Sequence, residues 1–164
     1  NPETIIEVGE NSYMEMDTAQ IKGVDSTIRK TTAKLADHAS LKVMERLMTH
    51  GNQKAESRFI VDMNGVDSGA NIISRSVARD DSYQLFQSVL NGNAKCSGHT
   101  ECDAIIVGNA KISSIPEITA NNSDAALIHE AAIGKIAGEQ IIKLMTLGLT
   151  EEEAEEQIIS GFLK

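Results

Sequence analysis

Ten short, β-like segments follow one another almost without interruption from residue 4 to about residue 130. They are TIIEV, SYMEM, STIRKTT, SLKVMERLM, ESRFIVDM, ANIISRSVA, YQLFQSVL, DAIIVG, KISSIPEI and AALIHEA. Turn-forming clusters separate them, among them HGN (50–52), NGVDSG (64–69), ARDD (78–81) and NGN (91–93). Strands this short and evenly punctuated leave three architectures: a sandwich, a barrel or a β-solenoid. Phe59, Val61 and Met63 alternate as one face of a strand, and Ile112, Ser114, Pro116 and Ile118 do the same. Pro116 has no N–H to give a ladder, which places its segment at a sheet edge or a strand end.

Several features favour the solenoid. Segments such as IIV (105–107) are apolar on both faces, and two-residue hairpin loops are scarce. Aromatic residues are limited to Tyr13, Tyr83, Phe59, Phe86 and Phe162. The core must then be Ile, Val, Leu, Met and Ala, which stack in thin β layers. Similarity between the segments is weak, so periodicity alone does not separate solenoid from sandwich.

The last thirty residues follow a different rule. Ile133, Ile136, Ala137, Ile141 and Leu144 fall on one helical face. Gly148 reads as a helix stop. Thr150 and Glu153 form a capping box for a second helix, whose apolar stripe is Ala154, Ile158, Ile159 and Phe162. The pattern is an αα-hairpin that needs something to pack against. The expected division is a β core over 1–132 and a helical segment over 133–164. The missing initiator methionine and the strand-like start suggest that residues precede this segment.

The net charge of −9 gives no cationic footprint for nucleic acid. No run of eighteen apolar residues exists to span a membrane. Two cysteines are too few for a disulfide framework, so reduced thiols and a cytoplasmic location are expected. P-loop, GxSxG, HExxH and GxGxxG motifs are absent.

Two constellations carry possible chemistry. Cys96, His99 and Cys102 have metal-like spacing, and a stand-alone zinc protein is one reading. On a continuous strand, however, the two thiols face one side and the imidazole the other, so only a loop would close that site. His129 and Glu130 are adjacent, so on a strand they also point to opposite faces. A solenoid acting on carbohydrate is a further alternative, although the acids are scattered and sugar-stacking aromatics are lacking.

The strings ECDAIIVG (101–108), IPEI, IHEAAIGKIAGEQ (128–140) and LGLTEEEAEEQIISGF (147–162) occur in that order. Together with NIISRSVARDDSYQLFQSVL (71–90), they resemble the SufB/SufD family of iron–sulfur cluster assembly scaffold proteins. The likeness is to the C-terminal part, SufB-like or close to compact archaeal and bacterial homologues. It implies a mainly β fold, a right-handed parallel β-helix ending in a helical hairpin, and so decides for the solenoid. It also implies a non-catalytic scaffold that holds a transient iron–sulfur cluster, with Cys102, His129 and Glu130 as its ligands. The implied partners are a SufC-type ABC ATPase, docked through the C-terminal helices, and a SufB/SufD paralogue or a second copy as dimer. A flavin in the assembled complex is compatible with the same resemblance. Glu101 and Asp103 flank Cys102 and are expected to raise its thiol pKa.

Overall fold

The computed structural model describes residues 1–21 and 23–164. Ten strands run in chain order: β1 (Glu3–Val8), β2 (Tyr13–Gln20), β3 (Ser26–Leu35), β4 (Ser40–Thr49) and β5 (Lys54–Met63), then β6 (Ser68–Ala78), β7 (Tyr83–Gly92), β8 (Cys96–Ile106), β9 (Lys111–Ala120) and β10 (Ala126–Gly134). Two helices follow, α1 (Gly138–Met145) and α2 (Glu151–Phe162). Each β-like segment quoted above falls on one of these strands to within two residues.

Odd-numbered strands build one sheet in the order β1-β3-β5-β7-β9, and even-numbered strands build the other in the order β10-β8-β6-β4-β2. Every pairing is parallel. The chain therefore alternates between two facing sheets and climbs one level per pair of strands, a parallel β-solenoid of five turns. Lateral partners are separated by nearly one period: Ser68 pairs Cys96 and Ser40 pairs Gly69, 28 and 29 positions apart.

The two corners repeat as faithfully as the strands. Asn11, His38 and Asp67 adopt positive φ at successive copies of one corner, and Gly51, Asp80 and Gly108 do so at the other. Asn and Asp tolerate this left-handed conformation, and glycine adopts it freely. Neighbouring copies bond to each other, as the Asn11 N–H does to the Asp37 carbonyl (3.0 Å) and the His38 N–H to that of Val66 (2.9 Å). Near the first corner the amide of Asn121 donates to Asn93, and that of Asn93 donates to Asn64, both at 2.7 Å. This polar ladder satisfies groups that would otherwise cap bare strand ends.

Inward residues of both sheets form one thin core that includes Leu35, Leu41, Val61, Met63, Ile72 and Leu90. Phe59 and Phe86 stack on successive turns with ring centroids 5.9 Å apart. Pro116 lies on β9, the edge strand of its sheet. At that position a missing donor costs no ladder bond on the open side.

A charged cluster interrupts the core. Glu45 of β4 is 1% exposed and accepts from Ser57 (2.6 Å), Ser74 (3.0 Å) and Arg29 (3.2 Å). Arg29 also reaches Gln20 at 2.8 Å.

The helical hairpin starts later than the sequence pattern predicts. Ile133 and Gly134 finish β10, laterally paired with Ala104 and Ile105, and α1 begins only at Gly138. The backbone bonds that β8 offers outweigh the helical periodicity at Ile133. The second helix starts as expected: Thr150 accepts from the Glu153 N–H at 3.2 Å, and Glu153 accepts from the Thr150 N–H at 2.8 Å. Gly148 has φ +99°, the left-handed stop. Ala154 and Ile159 are buried. Arg79, at the corner after β6, forms ion pairs with Glu155 (2.6 Å) and Glu156. No helix among the described residues is long and apolar enough to cross a membrane.

Replacing Arg79 by alanine is expected to loosen α2 without unfolding the solenoid. The pair is only partly buried, so the loss in global stability is about 1 kcal/mol or less. Hydrogen exchange should show faster exchange confined to residues 151–162. An unchanged exchange pattern there would mean that Ala154 and Ile159 hold the helix without the arginine.

Candidate functional site

The strands that carry the candidate residues are lateral neighbours. β8 and β10 pair in parallel, with Thr100 opposite His129, Glu101 opposite Glu130 and Cys102 opposite Ala131. Alternation then sorts the side chains into two sets. Cys96, Gly98, Thr100, Cys102 and Ala104 point into the solenoid and are buried. His99, Glu101 and Asp103 point outward from the same strand. On β10, His129 shares the inward side with Cys102, and Glu130 shares the outward side with His99 and Glu101.

This geometry corrects the zinc reading of Cys96, His99 and Cys102. The segment is a continuous strand, so His99 lies across the sheet from both thiols. Both cysteines are free and buried. The geometry also divides the trio that the resemblance implied. Cys102 and His129 lie on one side of the sheet, and Glu130 lies on the other.

Cys102 is 1% exposed. Burial pushes its thiol up to about 11, Asp103 and Glu45 add to the rise, and the neighbouring Ser114 hydroxyl works against it. The sequence anticipated the direction from the flanking acids, but burial is the larger cause. At neutral pH the side chain is a protonated thiol, a poor nucleophile. Burial holds the His129 imidazole below its usual range, and the nearby His99 lowers it further.

The interior around Cys102 is unusually polar for so thin a core. Ser88 Oγ, Thr100 Oγ1 and His129 Nδ1 are buried without hydrogen-bond partners, and Ser114 Oγ lies beside the Cys102 thiol. They come from β7, β8, β9 and β10, the last two turns of the solenoid. A soft thiolate and an imidazole suit iron or an iron–sulfur cluster as cargo once the thiol has lost its proton.

The outward set has a geometry of its own. His99 Nε2 lies 3.2 Å from Glu130 Oε2, and His99 Nδ1 lies 3.1 Å from Asn71 Oδ1. Ligand atoms of His99, Glu101 and Glu130 all lie within 4.8 Å of one another. Sequence reading did not find this group, because Glu101 and Glu130 are far apart in the chain. The signal that would have found it is the period: 29 residues separate them, one turn of the solenoid.

The architecture and the buried thiol define a class: a parallel β-solenoid with a C-terminal helical hairpin and a cysteine sealed in its interior. Comparison with known proteins takes this further. Residues 2–162 match the model for the SufBD core domain of SUF-system FeS cluster assembly. The chain belongs to that family, as the resemblance implied. An iron–sulfur cluster assembly SufBD family protein of Pyrococcus horikoshii is 33% identical over 80% of this chain and 40% of its own length. One from Methanothermobacter thermautotrophicus is 33% identical over 99% of this chain and 40% of its own length. A third, from Methanocaldococcus jannaschii, is 39% identical over 63% of this chain and 33% of its own length. The chain thus spans about two fifths or less of these relatives.

The thiol makes a direct prediction. In a Cys96→Ala background, alkylation of Cys102 by iodoacetamide is expected to be slow at pH 7. It should rise about tenfold per pH unit toward pH 11, as the thiolate fraction does. A plateau near pH 8.5 would show an exposed, unperturbed thiol instead.

Proposed function

We infer that this chain is a scaffold segment of the Suf iron–sulfur assembly system. In this reading Cys102 accepts the nascent cluster or its sulfur, and His129 serves as the second donor on the same inward face. The observation that carries the reading is the family match across residues 2–162, combined with a buried thiol and an imidazole on the same inward side of adjacent strands. The scaffold itself is non-catalytic, and ATP hydrolysis belongs to a SufC-type ABC ATPase in the cytoplasm.

The ATPase docks on the helical hairpin. Ile142, Met145 and Leu147 support this, since they are exposed apolar side chains in and just after α1. A second SufB/SufD-type subunit pairs at the β9/β10 end. Ile118 supports this: it faces inward by register yet is 41% exposed, because no further turn covers it. Ile115 and Ile128 add exposed apolar surface at the same end.

The test is calorimetric titration with the SufC-type ATPase of the same source. Wild-type chain should bind at micromolar or tighter affinity, and Ile142→Glu/Leu147→Glu should bind at least tenfold more weakly. In anaerobic reconstitution, Cys102→Ala should lose the cluster chromophore and Cys96→Ala should keep it. Retention of the chromophore by Cys102→Ala would remove this cysteine from the reading.

A further inference from the structure

We propose that His99, Glu101 and Glu130 form a binding site for a divalent transition-metal ion on the outer face of the even-numbered sheet. It is separated from Cys102 and His129 by the thickness of that sheet. The site goes beyond the scaffold reading and does not depend on it.

Three observations lead there. The first is convergence. Glu101 and Glu130 are lateral partners on adjacent strands, and His99 precedes Glu101 by two residues on the same face. One donor atom from each lies within 4.8 Å of the others. Donors sharing one ion at bond lengths near ~2.1 Å stand about 3–4 Å apart, so small side-chain rotations close the set.

The second observation is the orientation of the imidazole. Asn71 Oδ1 is 3.1 Å from His99 Nδ1 and can accept a hydrogen bond only if Nδ1 carries the proton. In the neutral ring, Nε2 then carries a lone pair, and it faces Glu130 Oε2 at 3.2 Å. Two lone pairs at that distance need a positive charge between them, either a proton or a metal. A metal-ligating histidine anchored through its other nitrogen to a carbonyl oxygen is the usual outer-shell arrangement.

The third observation is an excess of negative charge. Asp103 follows Glu101 by two residues on the same outward face, and Arg75 of β6, opposite Asp103, offsets the three carboxylates only in part. A dication would relieve the crowding among Glu101, Asp103 and Glu130.

One imidazole and two carboxylates favour ferrous iron, zinc, cobalt or manganese over calcium or magnesium. No thiol reaches this face, so the bound species is a hydrated single ion and not a sulfide cluster. Glu130 is largely exposed, and the imidazole borders a shallow groove floored by Gly69, Ala70 and Ser97. That leaves coordination positions open to water, or to exchange with a carrier.

Cobalt(II) is the probe, added anaerobically to metal-free protein and followed by visible absorption and calorimetry. The expected result is one equivalent bound, with d–d bands of oxygen and nitrogen coordination and no thiolate charge-transfer band. Cys102→Ala should bind cobalt as wild type does. Glu130→Gln and His99→Gln should each bind at least tenfold more weakly, with circular dichroism unchanged. Asn71→Ala should weaken binding less than either, as expected for a residue that only orients the ring. Three outcomes would overturn the site: no saturable binding, equal affinity in Glu130→Gln and His99→Gln, or a thiolate band that Cys102→Ala abolishes. Loss of ATPase binding or of the cluster chromophore bears only on the scaffold reading.

Discussion

Gly65→Ala is expected to destabilise the solenoid by about 3 kcal/mol or more, at the upper end of what overpacking costs. Gly65 follows β5 at a corner, where its N–H donates to the Leu35 carbonyl one turn earlier (3.0 Å). A β-carbon there would overlap the backbone carbonyl of Ala36 and the nitrogen of Asp37. These are main-chain atoms held between stacked turns, so no side-chain rotation relieves the clash. Gly161→Ala is the matched control: nothing lies within 4 Å of its added carbon, and it sits inside α2. Alanine there should be neutral or stabilising by up to about 1 kcal/mol. Urea unfolding of both variants decides the point. Similar midpoints for the two would mean that the corner yields far more easily than its stacking suggests.

The second large effect concerns the buried acid. Arg29→Met removes the cation that faces Glu45 and should cost about 3 kcal/mol near neutral pH, the penalty for stranding a buried charge. The pH dependence is the sharper readout. Burial already holds the Glu45 carboxyl above its usual range, while Ser57, Arg29 and Ser74 pull it down. A carboxyl with a raised native pKa binds its proton more tightly in the folded state. Its contribution to stability is complete below the unfolded value near 4.5 and is lost as pH rises through the native value. Removing Arg29 raises that native value further, so the difference between variant and wild type should grow from pH 4.5 to pH 8. Adding Glu45→Gln should flatten the trend. A cost that is the same at both pH values would show that Arg29 contributes packing and its contact with Gln20 rather than charge.

Strand positions were readable in this sequence because turn residues punctuate it. Asn64–Gly65 and the ARDD cluster mark corners, and Pro116 marks an edge. The capping box at Thr150 and Glu153 was equally plain, since it is a local code of four residues. Local signals did not reveal which strand pairs with which. Parallel pairing skips a strand, so β8 meets β6 and β10 rather than β7 or β9. Without that register, Glu101 and Glu130 are unrelated acids, and Cys102, His129 and Glu130 look like one group. The same blindness misplaced the start of α1. Ile133 fits a helical face, but only the lateral bonds to β8 show that it remains in the sheet.

Each strand touches its sheet neighbours one turn up and one turn down, and little else. Cohesion in such a stack is shared between adjacent levels instead of being pooled in one centre. Resistance to opening therefore falls at a level that has a neighbour on one side alone. β9 and β10 form such a level, and His129 and Glu130 ride on it. The terminal coil can lift like the last leaf of a book while the pages beneath stay bound. A thiol sealed at 1% exposure would then be uncovered for the cost of one leaf, not of the whole volume.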